Sequence, residues 1–81
     1  MQSDVKHIVV FGANCGKCKK AEAIIRTVLA KFHLHADVTK CEDWDVMVKH
    51  NVTYLPTIMI DDVIKFKGIV PSEKEFIKSL N

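Results

Sequence analysis

Residues 11–20 read FGANCGKCKK and place two cysteines, Cys15 and Cys18, where an apolar run ends and a helical pattern begins. A cysteine at a helix N-terminus meets free backbone N–H groups and the positive end of the helix dipole, and both favour the thiolate. A thiolate attacks disulfides, and a second thiol one turn along the helix can close a ring with it. Metal sites use the same spacing, so the pair alone predicts either a redox couple or a metal ligand set.

Composition limits the class of protein. The chain has 81 residues, of which 48% are hydrophobic and 27% charged, and its formal net charge is +2. These values predict one domain over residues 1–81. Because the chain contains no long Lys/Arg run, we expect no nucleic-acid partner. The longest fully apolar run covers residues 8–11, so we expect neither a signal peptide nor association with a membrane.

Three cysteines form an odd number, which is untypical of a secreted disulfide scaffold. The count suits a reducing compartment with one working pair and one spare thiol, and we therefore expect a cytoplasmic protein. The spare residue is Cys41. A passive free thiol is the preferred interpretation of Cys41, and a third redox thiol is the alternative.

The spacing of apolar residues predicts seven elements. Apolar segments that are β-branched or alternate little with polar residues predict strands. Segments with apolar residues at intervals of three and four predict helices. The strands are predicted at 7–11, 35–40, 57–60 and 63–67, and the helices at 17–32, 42–50 and 72–80. Asp61 and Asp62 leave room only for a tight hairpin between the last two strands, and Ser72 with Glu75 predicts a capping box.

Each predicted helix has an apolar face. The candidates for burial are Ala21, Ile24, Ile25, Val28, Leu29 and Phe32 on the first helix, Trp44, Met47 and Val48 on the second, and Phe76, Ile77 and Leu80 on the last. Helices between the early strands require a parallel pair joined by a crossover, whereas the last two strands form an antiparallel hairpin. The predicted fold is therefore α/β, in the order β-α-β-α-β-β-α, with a four-stranded mixed sheet and helices on both faces.

This order of elements, the Cys15–Cys18 motif after the first strand, and residues 55–57 (Leu-Pro-Thr) at the start of the third strand resemble thioredoxin-fold proteins. The resemblance covers nearly the whole chain and is to the minimal core that thioredoxins and glutaredoxins share, especially small thioredoxin-like redox proteins of bacteria and archaea. It implies a monomeric thiol–disulfide oxidoreductase without a cofactor. The implied substrate is a disulfide in a protein or small molecule, and the implied partner is a reductase or thiol donor.

The resemblance also implies roles for single residues. Cys15 matches the exposed nucleophile of the family, and Cys18 matches the buried resolving thiol. Pro56 matches the cis-proline that lies against the disulfide, and Leu55 before it then offers its backbone N–H and C=O to an extended substrate. Lys17 lies between the cysteines and is the one lysine of this region placed to influence the pKa of the thiolate.

The chain departs from the family at several positions. Thioredoxin has Trp before the first cysteine and Pro between the cysteines, where this chain has Asn14 and Lys17. The first predicted strand, residues 7–11, carries no carboxylate that would take the proton of Cys18. Residues 67–72 lack the Gly-Gly pair and aspartate of glutaredoxins, so we expect no glutathione site.

Two other functions remain open at this point. A copper or zinc carrier is the main alternative, because heavy-metal-associated domains carry a similar Cys-x-x-Cys loop. Those domains run β-α-β-β-α-β, whereas a helix at 42–50 and a final helix are predicted here. The third possibility is a docking domain whose cysteines are idle. We prefer the oxidoreductase.

Overall fold

The computed structural model describes residues 6–80, so the first five residues of the predicted domain and Asn81 lie outside the described part. Its elements follow the predicted order. They are β1 (Lys6–Phe11), α1 (Gly16–Lys31), β2 (Ala36–Cys41), α2 (Trp44–Lys49), β3 (Thr57–Ile60), β4 (Val63–Lys67) and α3 (Glu73–Ser79). The order lacks the second β-strand directly after α1 that the metal-carrier alternative requires.

The four strands form one mixed sheet in the order β2-β1-β3-β4. β1 runs parallel to β2 and antiparallel to β3, and β3 forms an antiparallel hairpin with β4. The parallel pair needs a long crossover, which α1 provides. β1 is thus a central strand, as its unbroken apolar sequence predicts.

Apolar residues cover both faces of the sheet. On one face, α1 and α3 contribute Ile25, Val28 and Phe76 to a cluster with residues of β1 and β3. On the other face, Met47 of α2 packs with Phe11 and with residues of β3. The prediction of helices on both faces is confirmed. Among residues 6–80, no helix is long and apolar enough to cross a membrane.

Three predicted core positions are wrong. Trp44 and Val48 of α2 are 67% and 72% exposed, and Phe32 is 51% exposed. The reason for α2 is its length: a helix of six residues presents less than two turns to the sheet, and only Met47 is fully buried. Phe32 is the C-cap of α1, where the helix ends and its apolar stripe no longer faces the sheet.

The predicted turn and cap are confirmed. Asp61 and Asp62 both adopt positive φ, 49° and 68°, as the central residues of a type I′ hairpin turn require. At the start of α3, the Glu75 N–H donates to the Ser72 hydroxyl oxygen at 3.1 Å, and the Ser72 N–H donates to the Glu75 carboxylate at 2.9 Å. This reciprocal pair is the capping box.

Candidate active site

Four residues lie level with one another across one end of the sheet. Phe11 of β1 pairs with Cys41 of β2 and with Thr57 of β3, and Thr57 pairs with Lys67 of β4. We call this row, with the loops beyond it, the disulfide end. The loops are residues 12–15, 54–56 and 68–72, and they leave neighbouring strands at the same level. The sheet therefore brings the cysteine motif and the Leu-Pro-Thr segment to one end of the molecule.

Cys15 and Cys18 form a disulfide at the start of α1. Cys15 is the N-cap, and its sulfur accepts a hydrogen bond from the Cys18 backbone N–H at 3.1 Å. Cys15 is partly exposed, whereas Cys18 has no exposed surface. Since a helix N-terminus favours negative charge, the position of Cys15 also suits a thiolate when the bond is reduced.

Gly12 explains how Cys18 can be buried there. A Cβ atom added to Gly12 would lie 3.0 Å from both the Cβ and the Sγ of Cys18. The Gly12 N–H also donates to the Cys41 carbonyl at 3.0 Å, which continues the parallel pairing past the end of β1. In the sequence, Gly12 is a glycine that directly follows the apolar run 8–11. Its contact with Cys18 is seen only in the structure. The sequence feature that points to this contact is a glycine close before a cysteine pair.

The Leu55–Pro56 bond is cis, as the resemblance implied. Pro56 is buried and Leu55 is partly buried. The Pro56 carbonyl accepts a hydrogen bond from the Gly68 N–H at 2.7 Å, and the Thr57 hydroxyl donates to the Tyr54 carbonyl at 2.5 Å. These bonds fix the loop 54–56 beside the start of β3 and join it to the loop after β4.

Lys17 and Cys41 occupy different surroundings. Lys17 is exposed on the first turn of α1, which carries no acidic residue. Cys41 is a free, partly buried thiol that packs with Phe11 and Met47 on the α2 face of the sheet. Its side chain is thus on the face opposite α1, although its backbone reaches the disulfide end. Within residues 6–80, no group of three or more His, Cys, Asp or Glu side chains lies close enough to hold a metal ion.

Comparison with known proteins extends these observations. A family model described as a thioredoxin domain matches residues 6–81. A thioredoxin of Methanothermobacter thermautotrophicus is 27% identical over 91% of this chain and 96% of the relative. A thioredoxin of Methanocaldococcus jannaschii is 29% identical over 90% of this chain and 84% of the relative.

Solved structures show the same fold at low sequence identity. Thioredoxin-2 of a malaria parasite superimposes with a TM-score of 0.77 at 16% identity, over 99% of this chain and 84% of the other. The oxidised mitochondrial thioredoxin 3 of Saccharomyces cerevisiae superimposes with a TM-score of 0.70 at 22% identity, over 93% and 76% of the two chains. The predicted fold class is confirmed.

Proposed function

Since the chain belongs to the thioredoxin-domain family and is a thiol–disulfide oxidoreductase, we propose that Cys15 and Cys18 are its redox couple. Cys15 is the attacking sulfur and Cys18 the resolving sulfur. The observation that carries this assignment is the asymmetry of the pair: Cys15 is partly exposed and accepts a backbone N–H, whereas Cys18 is fully buried behind it. An exposed sulfur at a helix start is both accessible and more readily ionised.

In the proposed reaction, the Cys15 thiolate attacks one sulfur of a substrate disulfide. A bond forms between Cys15 and that sulfur, the substrate S–S bond breaks, and the departing substrate sulfur takes up a proton. Cys18 then loses its proton, and its sulfur attacks Cys15. The Cys15–Cys18 disulfide closes and the second substrate thiol leaves. The substrate gains two electrons and two protons, and a reductase or thiol donor later returns the same number to the cysteines.

Three residues near the cysteines assist the proposed reaction. The backbone N–H and C=O of Leu55 pair with an extended segment of the substrate, in the manner of an added β-strand. Pro56 holds Leu55 in place at the disulfide end. Lys17 adds a positive charge near Cys15, but it is exposed to solvent, so its effect on the thiol pKa is smaller than that of the backbone N–H groups.

The proposal also covers the oligomeric state, the compartment and the partners of the protein. The protein acts as a monomer in the cytoplasm on disulfides of proteins or small molecules. Residues 1–81 form one domain, and a separate reductase or thiol donor regenerates the dithiol. A net charge of only +2 and an odd cysteine count support this setting. Sedimentation at several protein concentrations tests the monomer.

Single cysteine variants test the two roles. Cys18→Ser removes resolution but leaves attack intact, so mixed disulfides with substrate accumulate through Cys15. Cys15→Ser removes attack, so no such species forms. Cys41→Ser is the matched control, because its thiol packs on the opposite face of the sheet, and its behaviour is expected to equal the parent's.

The measurement is the mass of adducts after incubation of each reduced variant with a disulfide-bonded peptide. If Cys15→Ser forms the stable adduct and Cys18→Ser does not, the two roles are reversed. If all three variants release reduced peptide as the parent does, no pair among the three cysteines is required for the reaction, and the proposed couple is wrong.

A further inference from the structure

Tyr54 is a surface aromatic residue that the described reaction does not use. Its side chain is 64% exposed. It lies directly against Gly68, where an added Cβ would be 2.8 Å from the Tyr54 Cβ and 3.4 Å from its Cγ. Gly68 has a φ of +71°, a conformation that favours glycine. One side of Tyr54 is therefore packed on main chain, while much of its surface faces solvent.

The loop that carries Tyr54 is held on both sides. The Tyr54 carbonyl accepts the hydrogen bond of the Thr57 hydroxyl, and the Pro56 carbonyl accepts that of the Gly68 N–H. These bonds connect the loop to β3 and to the residue after β4. The backbone of Tyr54 is thus held in place, and the base of its side chain lies against Gly68. Binding of a ligand to a side chain on an ordered loop removes less conformational freedom than binding to one on a mobile loop.

Tyr54 also has apolar neighbours along the chain. Leu55 follows it and is partly buried, and Ile69 follows Gly68 and is 51% exposed. The Leu55 side chain packs against the cluster of Phe11 and Met47, so the exposed surface of the two joined loops, next to the backbone that pairs with substrate in the proposed function, comes from Tyr54 and Ile69. Side chains of an extended peptide alternate in direction, so a peptide paired with Leu55 directs some of its side chains toward this surface.

We propose that Tyr54 determines specificity by receiving an aromatic or large aliphatic side chain that a polypeptide substrate carries next to its reacting cysteine. The inference rests on the proposed function and narrows its substrate class. Aromatic pairs contribute beyond the area that they bury, and a tyrosine supplies a large contact with few rotatable bonds. Small disulfides that lack such a side chain gain nothing from Tyr54.

The test compares three substrates. Two are disulfide-bonded peptides that differ only in Trp or Ser beside the reacting cysteine, and the third is bis(2-hydroxyethyl) disulfide. Single-turnover rates are measured with the reduced parent, Tyr54→Ala and Tyr54→Phe. Tyr54→Ala is expected to react about three- to tenfold more slowly with the Trp peptide, while its rates with the other two substrates stay near the parent's. Tyr54→Phe keeps the ring and is expected to keep the preference.

Phe32→Ala is the matched control. Phe32 is also an exposed aromatic residue, but it caps the end of α1 remote from the cysteines, so its loss should leave all three rates unchanged. If Tyr54→Ala misfolds by circular dichroism, Tyr54→Gln provides a long side chain without a ring and carries the same expectation.

The outcomes distinguish the specificity role of Tyr54 from the proposed oxidoreductase function. Equal slowing of Tyr54→Ala on all three substrates assigns Tyr54 a structural role and overturns the inference, as does an unchanged preference for the Trp peptide. If the parent reduces none of the three substrates, the proposed function fails, and the specificity role fails with it.

Discussion

At the disulfide end of the sheet, two glycines let the backbone approach other residues closely, whereas at the opposite end a charged side chain adds its contacts to a backbone hydrogen bond. Gly12 lies against Cys18, and Gly68 lies against Tyr54. At the opposite end, which we call the turn end, Asp61 of the β3–β4 hairpin accepts a hydrogen bond from the His7 N–H at 2.9 Å and lies 3.5 Å from the Lys6 ammonium.

The difference predicts how each end responds to substitution. A close approach of backbone to a buried group leaves no room for one more carbon atom, and an overpacked site relaxes only by shifting its neighbours. A contact between exposed charged groups competes with water and contributes little. The disulfide end should therefore be sensitive to very small substitutions, and the turn end should tolerate larger chemical changes.

The largest expected effect is that of Gly68→Ala. An alanine at φ +71° has a strained backbone, and its Cβ would lie 2.8 Å from that of Tyr54. Left-handed backbone costs about 1–2 kcal/mol and overpacking about 1–3 kcal/mol, so we expect the free energy of unfolding to fall by roughly 2–4 kcal/mol. Urea denaturation followed by circular dichroism measures the change. A midpoint equal to the parent's would mean that this contact relaxes freely.

Gly12→Ala against Gly16→Ala is the second comparison. Neither glycine has a positive φ, so alanine is not strained at either position. The two positions differ in the space around the new Cβ and in that Gly16 is the first residue of α1. The new Cβ at position 12 meets Cys18 at 3.0 Å, whereas nothing lies within 4 Å of the one at position 16. In the oxidised protein we expect Gly12→Ala to lower the free energy of unfolding by about 1–2 kcal/mol. We expect Gly16→Ala to leave it unchanged or to raise it by up to about 1 kcal/mol.

Urea denaturation of both variants in the oxidised state checks this pair. Because the same substitution is made at both positions, the effect of alanine on the unfolded chain cancels in the comparison. If both variants unfold at the same urea concentration, the close approach of Gly12 to Cys18 contributes nothing to stability.

Local signals made most of the fold predictable from sequence. The run 7–11 of β-branched and apolar residues predicted the central strand. The Cys-x-x-Cys spacing at a helix start predicted either a redox couple or a metal ligand set, and the resemblance to thioredoxin-fold proteins favoured the redox couple. Ser72 and Glu75 predicted their own cap, because both partners lie within one turn. Each of these features depends on residues that are close in sequence.

The remaining features depend on residues that are distant in sequence or on weak stop signals. The contact between Gly68 and Tyr54 forms only when β3 and β4 pair, so no local sequence pattern predicts it. α1 and α2 are followed by His33 and Asn51, both with positive φ, where glycine is the usual signal of a helix end. Because that signal was missing at His33, the apolar stripe of the first helix was extended one residue too far, to Phe32.

Asp61→Asn, at the turn end, carries the smallest expected effect. The hydrogen bond from the His7 backbone N–H, followed by the nearby Lys6 charge, holds the pKa of the Asp61 carboxyl below its usual range, against the opposing effect of desolvation. A carboxyl whose pKa is lower in the folded state stabilises the fold at pH values above the pKa of the unfolded chain. That contribution is lost as pH falls through the pKa of the folded state.

Asparagine keeps an oxygen for the His7 N–H and tolerates the positive φ of position 61, but it removes the charge. We therefore expect Asp61→Asn to be slightly less stable than the parent at neutral pH, and this difference to vanish as pH falls through the acidic range. Denaturation midpoints measured from pH 7 downward test the sign. Asp62→Asn alters the other aspartate of the same turn, which shares its left-handed backbone, and serves as the control. Parallel pH profiles of the parent and Asp61→Asn would show that the charge of Asp61 contributes nothing to stability.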